Sequence, residues 1–328
     1  MQTDYSSADQ SSDPEHEAFM IMEHLLSPEA TEDERDAFLR HTADNQSSAE
    51  EVSGFSRAIR SRSSLPRIPG LLDIVGTGGD GKNTVNVSTA SAIAASAMGI
   101  RVAKHGNRGI TSSHGSADFM RYIGYEMAFT PDEAGKRLSR DSFLYLLAPQ
   151  FNSAFAAFTA ARKRIGRRTV FNIMGPLTNP VDPDFMILGS FNVETAEIYA
   201  KVLSLRSKAG VCFSSAAGMD EISPAGDTTM FYVRDGRISR SVVRGESITG
   251  DQADLESITE ADPQRCFMKT MDGLTGRNRQ VAQFIALNTA PALILHGRAS
   301  DMQYAYDAVM KAIESGKVAE QAKRIVRR

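Results

Sequence analysis

The sequence has little cysteine, no tryptophan and no long apolar segment. Its 328 residues contain only two cysteines, Cys212 and Cys266, without a C-x-x-C pair. This scarcity argues against a disulfide framework or a cysteine zinc site and favours a reducing compartment. No apolar run approaches the ~20 residues of a membrane span, and the N-terminus lacks an apolar signal core. We therefore expect a cytoplasmic protein without a membrane partner.

An excess of one charge is also missing. The net charge at pH 7 is −3, and the lysines and arginines are scattered along the chain. Nucleic-acid surfaces are recognised by clustered cations, so we expect no nucleic-acid partner. With 41% hydrophobic residues the chain can bury a sizeable core, and it is long enough for two domains.

The N-terminal part predicts short helices after a tail. Residues 1–14 are polar and acidic, which is typical of a disordered tail. A first helix is expected within 15–26. Two further helices are predicted by capping boxes, which begin at Thr31 and Ser48.

From residue 71 the pattern changes to alternating strands and helices. Apolar runs that predict strands lie at 71–75, 100–104, 170–174, 185–188, 211–213 and 230–233. Helical stretches lie near 89–98, 131–139, 193–206, 278–297 and 300–315. Thr130 is an expected N-cap, and 234–237 predicts a hairpin turn. The alternation indicates an α/β fold with a mostly parallel sheet covered by helices.

Residues 76–89, GTGGDGKNTVNVST, nearly match two phosphate-binding motifs. A dinucleotide site with G-x-G-x-x-G needs a helix opening within the glycines and an acid about 20 residues on. Poor helix starters follow instead, and Lys104 stands where the acid belongs. A Walker loop needs Ser or Thr directly after its lysine, but Asn83 follows Lys82. We therefore expect neither an NAD site nor an ATP site.

The same loop offers two anion cradles in series. Glycines let backbone N–H groups approach an anion, and Ser88 and Thr89 are expected to cap the helix over 89–98, whose N-terminus adds its dipole. Lys104 leaves the following strand at its C-terminal end, which is the ligand-binding edge of such a sheet. This arrangement suits a diphosphate.

Four segments, in this order and spacing, resemble the motifs of the anthranilate phosphoribosyltransferase family. They are DIVGTGGDGKNTVNVST, KHGNRGITSSHGSAD, TVFNIMGPLTNP and GMDEIS. The family transfers the phosphoribosyl group of phosphoribosyl diphosphate (PRPP) to the amine of anthranilate, with magnesium, and releases diphosphate. The resemblance implies a homodimer whose fold is shared with pyrimidine nucleoside phosphorylases. It implies a small helical domain over 15–70 with a segment at about 151–168, and a larger α/β domain over 71–150 and 169–328.

Carried over residue by residue, the resemblance also implies a set of site residues. It assigns PRPP contacts to Gly76, Gly79, Asp80, Thr84, Asn86, Val87, Ser88, Thr89, Lys104, His105, Gly106, Asn107, Arg108, Gly109, Ile110, Thr111, Ser112 and Ser116. It assigns magnesium to Ser88, Asp220 and Glu221, and anthranilate contacts to Gly76, Asn107, Asn152, Phe155, Arg162 and Gly175.

The acceptor region departs from the family pattern. Asn152 and Phe155 stand where members commonly have His and Tyr. An aromatic amine is already neutral at pH 7, so no strong base is required, and His105 is a candidate proton acceptor. Two alternatives stay open: a phosphoribosyltransferase or phosphorylase of the same fold with another acceptor, and a noncatalytic nucleotide-binding protein.

Overall fold

The computed structural model describes residues 13–107, 115–152, 154–251 and 254–327. Most of the predicted tail lies outside these residues. So do five of the predicted PRPP contacts, Arg108, Gly109, Ile110, Thr111 and Ser112. Within the described ranges, none of the helices combines the length and the apolarity needed to cross a bilayer.

Helices make up most of the described chain. The α-helices are α1 (Pro14–Leu25), α2 (Glu32–Asp44), α3 (Ala49–Ser61), α4 (Val87–Ala97), α5 (Ser116–Tyr122), α6 (Pro131–Asp141), α7 (Ala148–Phe151), α8 (Thr159–Ile165), α9 (Phe171–Met174), α10 (Val193–Leu205), α11 (Gly245–Thr249), α12 (Pro263–Leu274), α13 (Arg279–Leu295), α14 (Met302–Glu314) and α15 (Lys317–Arg324). Short 3₁₀ helices span Ala154–Phe158, Gly175–Leu177 and Leu255–Ile258.

The strands form one mixed sheet. They are β1 (Leu72–Gly76), β2 (Val102–Gly106), β3 (Phe143–Leu147), β4 (Phe185–Gly189), β5 (Ala209–Ser215), β6 (Asp227–Arg234) and β7 (Arg237–Arg244). The spatial order is β3-β2-β1-β4-β5-β6-β7. The first five strands of this order run parallel, and β6 and β7 continue the sheet as an antiparallel hairpin. The expected α/β class with a mostly parallel sheet is confirmed.

The topology marks one crevice at the sheet edge. From β1 the chain builds outward through β2 and β3, and then returns to place β4 on the other side of β1. Ligands bind such sheets outside the carboxyl ends of the strands where the order reverses. The last residues of β1 and β4, Gly76 and Gly189, face each other at this point. The glycine-rich loop therefore begins at the switch point.

The N-terminal helices pack against one side of the sheet and form a separate hydrophobic core there. Met22 of α1, Leu39 of α2 and Phe55 of α3 share a buried cluster with Phe158 and with Leu203 of α10. Segment 154–165 thus lies with the N-terminal helices, although a long stretch of sheet and helix separates them in sequence. The two-domain division stays a prediction that this packing favours.

Several local expectations are confirmed because the interacting groups are close in sequence. Thr31, Ser48 and Thr130 each accept a hydrogen bond from the N–H of the glutamate three residues later, and that glutamate returns one to the cap. In the hairpin, Asp235 and Gly236 have φ of 51° and 72°, as a tight turn between twisted strands requires.

Other expectations are wrong. The run at 170–174 is not a strand: Phe171–Met174 form helix α9 and Val170 is its N-cap. A short buried apolar run carries no period that distinguishes a helix from a strand. Helix α4 begins at Val87, so Ser88 and Thr89 lie in its first turn and do not cap it. Asn86 is the N-cap, but its side-chain oxygen accepts from the Cys266 thiol and not from the helix.

The predicted tail over 1–14 also ends earlier than expected. Pro14 begins α1 and Asp13 caps it, so neither residue belongs to a tail. Pro291 lies inside α13, which continues through it to Leu295, in agreement with the helical stretch predicted near 278–297.

Candidate active site

A cavity of about 240 Å³ opens at the carboxyl ends of β1 and β2. The predicted residues that line it are Gly76, Gly79, Asp80, Thr84, Asn86, Val87, Ser88, Lys104, His105, Gly106, Asn107, Ser116, Asp220 and Glu221. Sequence reasoning missed Val75, Thr77, Gly78, Asn83, Val85 and Gly115, all of which adjoin predicted residues in the same motifs. Thr89 is buried beside the cavity but is not in its lining.

The glycine-rich loop owes its shape to backbone conformations that favour glycine. Gly78, Gly79 and Gly81 have φ of 63°, 75° and 72°, and Asn83 has φ of 52°. The N–H of Gly78 donates to Asp220 Oδ2 at 2.7 Å. Lys82 is exposed and outside the cavity lining, and no helix begins directly after it. The geometry is therefore neither that of a Walker loop nor that of a dinucleotide fingerprint.

Asp220 occupies the switch point itself. A Cβ added to Gly76 would collide with Asp220 Oδ2, and one added to Gly189 would collide with the Asp220 carbonyl oxygen. Only glycine fits at these two strand ends. The close approach brings the Asp220 carboxylate into the mouth of the crevice and holds it against the glycine-rich loop.

Three carboxylates meet here. Ligand oxygens of Asp80, Asp220 and Glu221 lie within 4.8 Å of one another. Glu221 Oε1 accepts from the Thr84 hydroxyl at 2.8 Å. Asp80 Oδ2 and Glu221 Oε2 are buried and have no hydrogen-bond partner among the described residues. Hard oxygen donors left unpartnered in this way fit a magnesium ion.

The electrostatics of the cluster agree with that fit. Burial, and then the charge of Asp80, raises the pKa of Asp220 to about 6. Burial, and then the charge of Asp220, raises the pKa of Glu221 well above its usual range. Three acids held together without a cation repel one another. Asp80 is expected among the PRPP contacts, and it is the third member of this acidic cluster. The hydroxyl of Ser88, an expected magnesium ligand, lies 3.3 Å from Lys104 Nζ.

Lys104 is a buried cation at the cavity floor. Its Nζ donates to the carbonyl of Ile74 at 2.6 Å and to Ser88 Oγ. Burial lowers the pKa of Lys104 to about 8, against the opposing charges of Asp73 and Asp220. The ammonium is therefore mostly protonated at neutral pH and offers positive charge to an anion in the cavity.

Asp73 lies beneath this floor, completely buried in β1. One carboxylate oxygen accepts from the N–H of His105, and the other accepts from the side-chain amide of Asn179. Asn179 also donates to the carbonyl of Ala103. The Asp73 carboxylate thus joins the end of β2 to the segment that follows Gly175.

His105 connects the cavity to Gly175. Its imidazole donates a hydrogen bond to the Gly175 backbone, while Nε2 is buried without a partner in the described part of the chain. Burial, and then the charge of Lys104, lowers the pKa of His105 to about 4. The ring is neutral at physiological pH and has a free nitrogen.

Of the predicted acceptor residues, Gly76 and Asn107 line the cavity, whereas Asn152, Phe155, Arg162 and Gly175 lie outside its lining. The Arg162 guanidinium, in α8, stands 5.6 Å from the centre of the Phe171 ring. Phe155 meets the same ring edge-on at 5.7 Å. No described carboxylate pairs with Arg162, whereas Arg164 pairs with Asp36. Arg162 is therefore a half-buried cation without an ion-pair partner among the described residues.

Asn152 does not share this position. Its Nδ2 donates to the carbonyl of Ile59 at 2.8 Å, and its Oδ1 accepts from the N–H of Ala154. Asn152 is buried, and its side-chain nitrogen and oxygen both form hydrogen bonds, which join α3 to the segment that begins at Ala154. The structure therefore gives no support for Asn152 as an anthranilate contact.

A larger cleft of about 580 Å³ lies between α11 and α14. Its charged lining mixes Arg279, Asp307, Lys311 and Glu314 and includes none of the predicted site residues. Unlike the smaller cavity, it shows no grouped carboxylates and no buried orphan atoms among the described residues. The grouped carboxylates and the unpartnered buried atoms therefore favour the smaller cavity as the candidate site.

Known proteins resemble this chain over most of its length. Residues 69–319 match the family described as "Glycosyl transferase family, a/b domain". The anthranilate phosphoribosyltransferase of Picrophilus torridus is 45% identical over 312 residues, which cover 95% of this chain and 94% of that protein. The solved structure of anthranilate phosphoribosyltransferase from Thermus thermophilus is 29% identical with a TM-score of 0.88, covering 95% of this chain and 94% of its own. That of the Saccharomyces cerevisiae enzyme in complex with PRPP and Mg is 27% identical with a TM-score of 0.83, covering 96% and 92%.

Proposed function

Since this chain belongs to the anthranilate phosphoribosyltransferases, within the glycosyl transferase family, we propose that its switch-point cavity binds PRPP and presents it to anthranilate. The enzyme transfers the phosphoribosyl group to the amine of anthranilate and releases diphosphate. The product, N-(5-phosphoribosyl)anthranilate, belongs to tryptophan biosynthesis. The observation that carries the proposal is the acidic cluster of Asp80, Asp220 and Glu221 against the glycine-rich loop.

The acidic cluster is the proposed magnesium site. Asp80 and Glu221 each have a buried oxygen without a partner among the described residues, and Asp220 is anchored beside them by Gly78. A bound magnesium ion would supply positive charge for the departing diphosphate. The chain itself brings the three carboxylates together, and Ser88, which lines the same cavity beside Lys104, remains a predicted magnesium ligand.

The glycine-rich loop and α4 are the proposed PRPP cradle. The loop and the first residues of α4, Val87 and Ser88, line the cavity, and a helix N-terminus favours a bound anion. Lys104 adds a fixed positive charge from the floor. Displacement at the anomeric carbon leaves negative charge on the diphosphate, so groups already aligned there stabilise the transition state.

The acceptor half is proposed around Arg162, with Phe171 beside it and Gly175 as a further expected contact. A guanidinium with no described ion-pair partner suits the anthranilate carboxylate. The buried, neutral His105 joins Gly175 to the PRPP cavity, and its free Nε2 is a candidate to accept the amine proton. Positioning the two substrates then supplies much of the rate, because the aromatic amine is already neutral.

Three further properties are proposed with the function. The division into a helical domain and an α/β domain follows the packing of 154–165 with the N-terminal helices. The homodimer rests on the family resemblance. A cytoplasmic location is supported by the two cysteines, Cys212 and Cys266, which are free and buried.

The test is an assay of diphosphate release with PRPP, magnesium and a panel of amines. Anthranilate should give release that other aromatic amines do not match. A phosphorylase of this fold would instead need orthophosphate, and a noncatalytic binder would form no product with any amine. Either result would overturn the proposed reaction.

Calorimetry separates the cradle from the two incomplete motifs. Magnesium-dependent binding of PRPP is expected, without comparable binding of ATP or NAD. Lys82→Ala is the matched variant, because Lys82 is exposed and outside the cavity. Tight ATP binding that Lys82→Ala abolishes would restore the Walker interpretation.

A further inference from the structure

Arg168 makes two contacts that the proposed reaction does not account for. It lies in the segment between α8 and α9. Its Nη2 donates to the carbonyl of Gly79 at 2.7 Å, and its Cζ stands 4.1 Å from the centre of the Phe191 ring. The side chain therefore reaches from the helical segment to the glycine-rich loop and rests on a residue just beyond β4.

The loop is held at two adjacent residues by two different parts of the chain. Asp220 accepts the N–H of Gly78, and Arg168 donates to the carbonyl of Gly79. Both glycines have positive φ, with values of 63° and 75°. Glycine has the widest conformational freedom of any residue, so this stretch keeps one shape only if outside contacts select it.

We propose that Arg168 is a positioning residue that latches the glycine-rich loop, through the Gly79 carbonyl, in its PRPP-binding shape. The inference rests on the proposed function. The latch also joins the two halves of the site, because Arg168 follows the helix that carries Arg162 by only a few residues. Phe191 supports it by holding the guanidinium plane while one edge remains free to donate.

The side chain is suited to this task as arginine and not as lysine. A planar guanidinium can stack on an aromatic face and donate in a defined direction at the same time. An ammonium at the end of a flexible chain keeps the charge but loses that geometry. The contact is exposed, so a moderate effect is expected: Arg168→Ala should raise the KM for PRPP by about three- to tenfold.

The experiment compares Arg168→Ala and Arg168→Lys with a neighbouring control. Arg167 is also exposed, but its guanidinium pairs with Asp44 at 2.7 Å and not with the loop. Arg167→Ala removes the same charge from the same segment. For each variant, kcat, both KM values and hydrogen exchange of a peptide spanning 76–83 are measured.

Arg168→Ala should raise the KM for PRPP and speed exchange in 76–83, with kcat and the KM for anthranilate within about twofold of wild type. Arg168→Lys should recover only part of both changes, and Arg167→Ala should behave as wild type. Unchanged exchange overturns the latch, whatever the kinetics. Faster exchange with an unchanged KM for PRPP also overturns it. If the wild type forms no product, the proposed function fails, and exchange in the variants still decides whether Arg168 holds the loop.

Discussion

Replacement of Asp220 by asparagine should make the protein more stable and nearly inactive at once. Asn offers an oxygen to the Gly78 N–H in place of the carboxylate oxygen that now accepts it at 2.7 Å. The side chain also keeps a shape that fits against Gly76 and Gly189. What the substitution removes is one negative charge from three carboxylates whose ligand oxygens lie within 4.8 Å.

The magnitude follows from the cost of that charge without magnesium. Burial, and then the charge of Asp80, raises the pKa of Asp220 from 3.8 to about 6, so above that pH the ionised carboxylate costs the folded state at most about 3 kcal/mol. Asp220→Asn should recover about 1–3 kcal/mol of it, which raises the Tm of a 328-residue chain by roughly 1–2 °C for each kcal/mol. Loss of a magnesium ligand should lower kcat/KM by at least about 100-fold, or about 2.7 kcal/mol.

The assay pairs thermal melting with kinetics. Melting of wild type and Asp220→Asn is compared in chelator at neutral pH, and then with magnesium and PRPP, which should stabilise only the wild type. Asp227→Asn is the matched control, because Asp227 is an exposed acid that pairs with Arg244 and is not a member of the cluster. Asp220→Ala should lose the stability gain, since it also leaves the Gly78 N–H unpaired. Transfer by Asp220→Asn within about tenfold of wild type, or a lower Tm in chelator, would refute the reasoning.

Three other variants test the acceptor side and the buried histidine. Arg162→Ala should raise the KM for anthranilate by about ten- to a hundredfold, because one charge-assisted contact is worth about 1.5–3 kcal/mol; an unchanged value would remove Arg162 from the acceptor site. Asn152→His with Phe155→Tyr, which restores the family's residues, should lower Tm, because Asn152 loses its bonds to Ile59 and Ala154; a gain in both Tm and anthranilate turnover would contradict that structural role. The pKa of His105 is lowered from 6.5 to about 4 in the folded state. The free energy of unfolding should therefore be highest above the unfolded pKa and should fall by about 2 kcal/mol as the pH falls from about 7.5 to about 5. His105→Gln should remove that part of the pH dependence of unfolding and His16→Gln, an exposed control, should not; an identical profile for both variants would show that His105 is not the titrating group.

The sequence by itself determined features whose interacting groups lie within a few residues. The capping boxes at Thr31, Ser48 and Thr130 are present because cap and glutamate are three residues apart. The turn at Asp235 and Gly236 depends on two adjacent backbones. The long periodic stretches that became α10, α13 and α14 carry several turns of apolar pattern each. From these came the α/β class, and from the motif spacing came the family.

Prediction from local sequence pattern failed where contacts with residues distant in sequence determine the local structure. The run at 170–174 is too short to show a helical period, and its burial among the N-terminal helices selects a helical turn. The hydrogen bond from the Asn152 amide to the Ile59 carbonyl of α3 could not be predicted from local pattern either, because the two residues are 93 positions apart. Helix α4 begins at Val87, and the side chain of its N-cap Asn86 accepts from a thiol 180 residues away instead of capping the helix.

The arrangement of the site depends on the crossover of the chain that places β4 beside β1. Asp220 and Gly78 are 142 residues apart, and only the return of the chain to the other side of β1 brings them within hydrogen-bonding distance. The same crossover adds Asp80 to the acidic pair. Sequence motifs can name the residues of a site, but charges become a cluster only when parallel strands end at one edge, and that edge exists only in the tertiary structure.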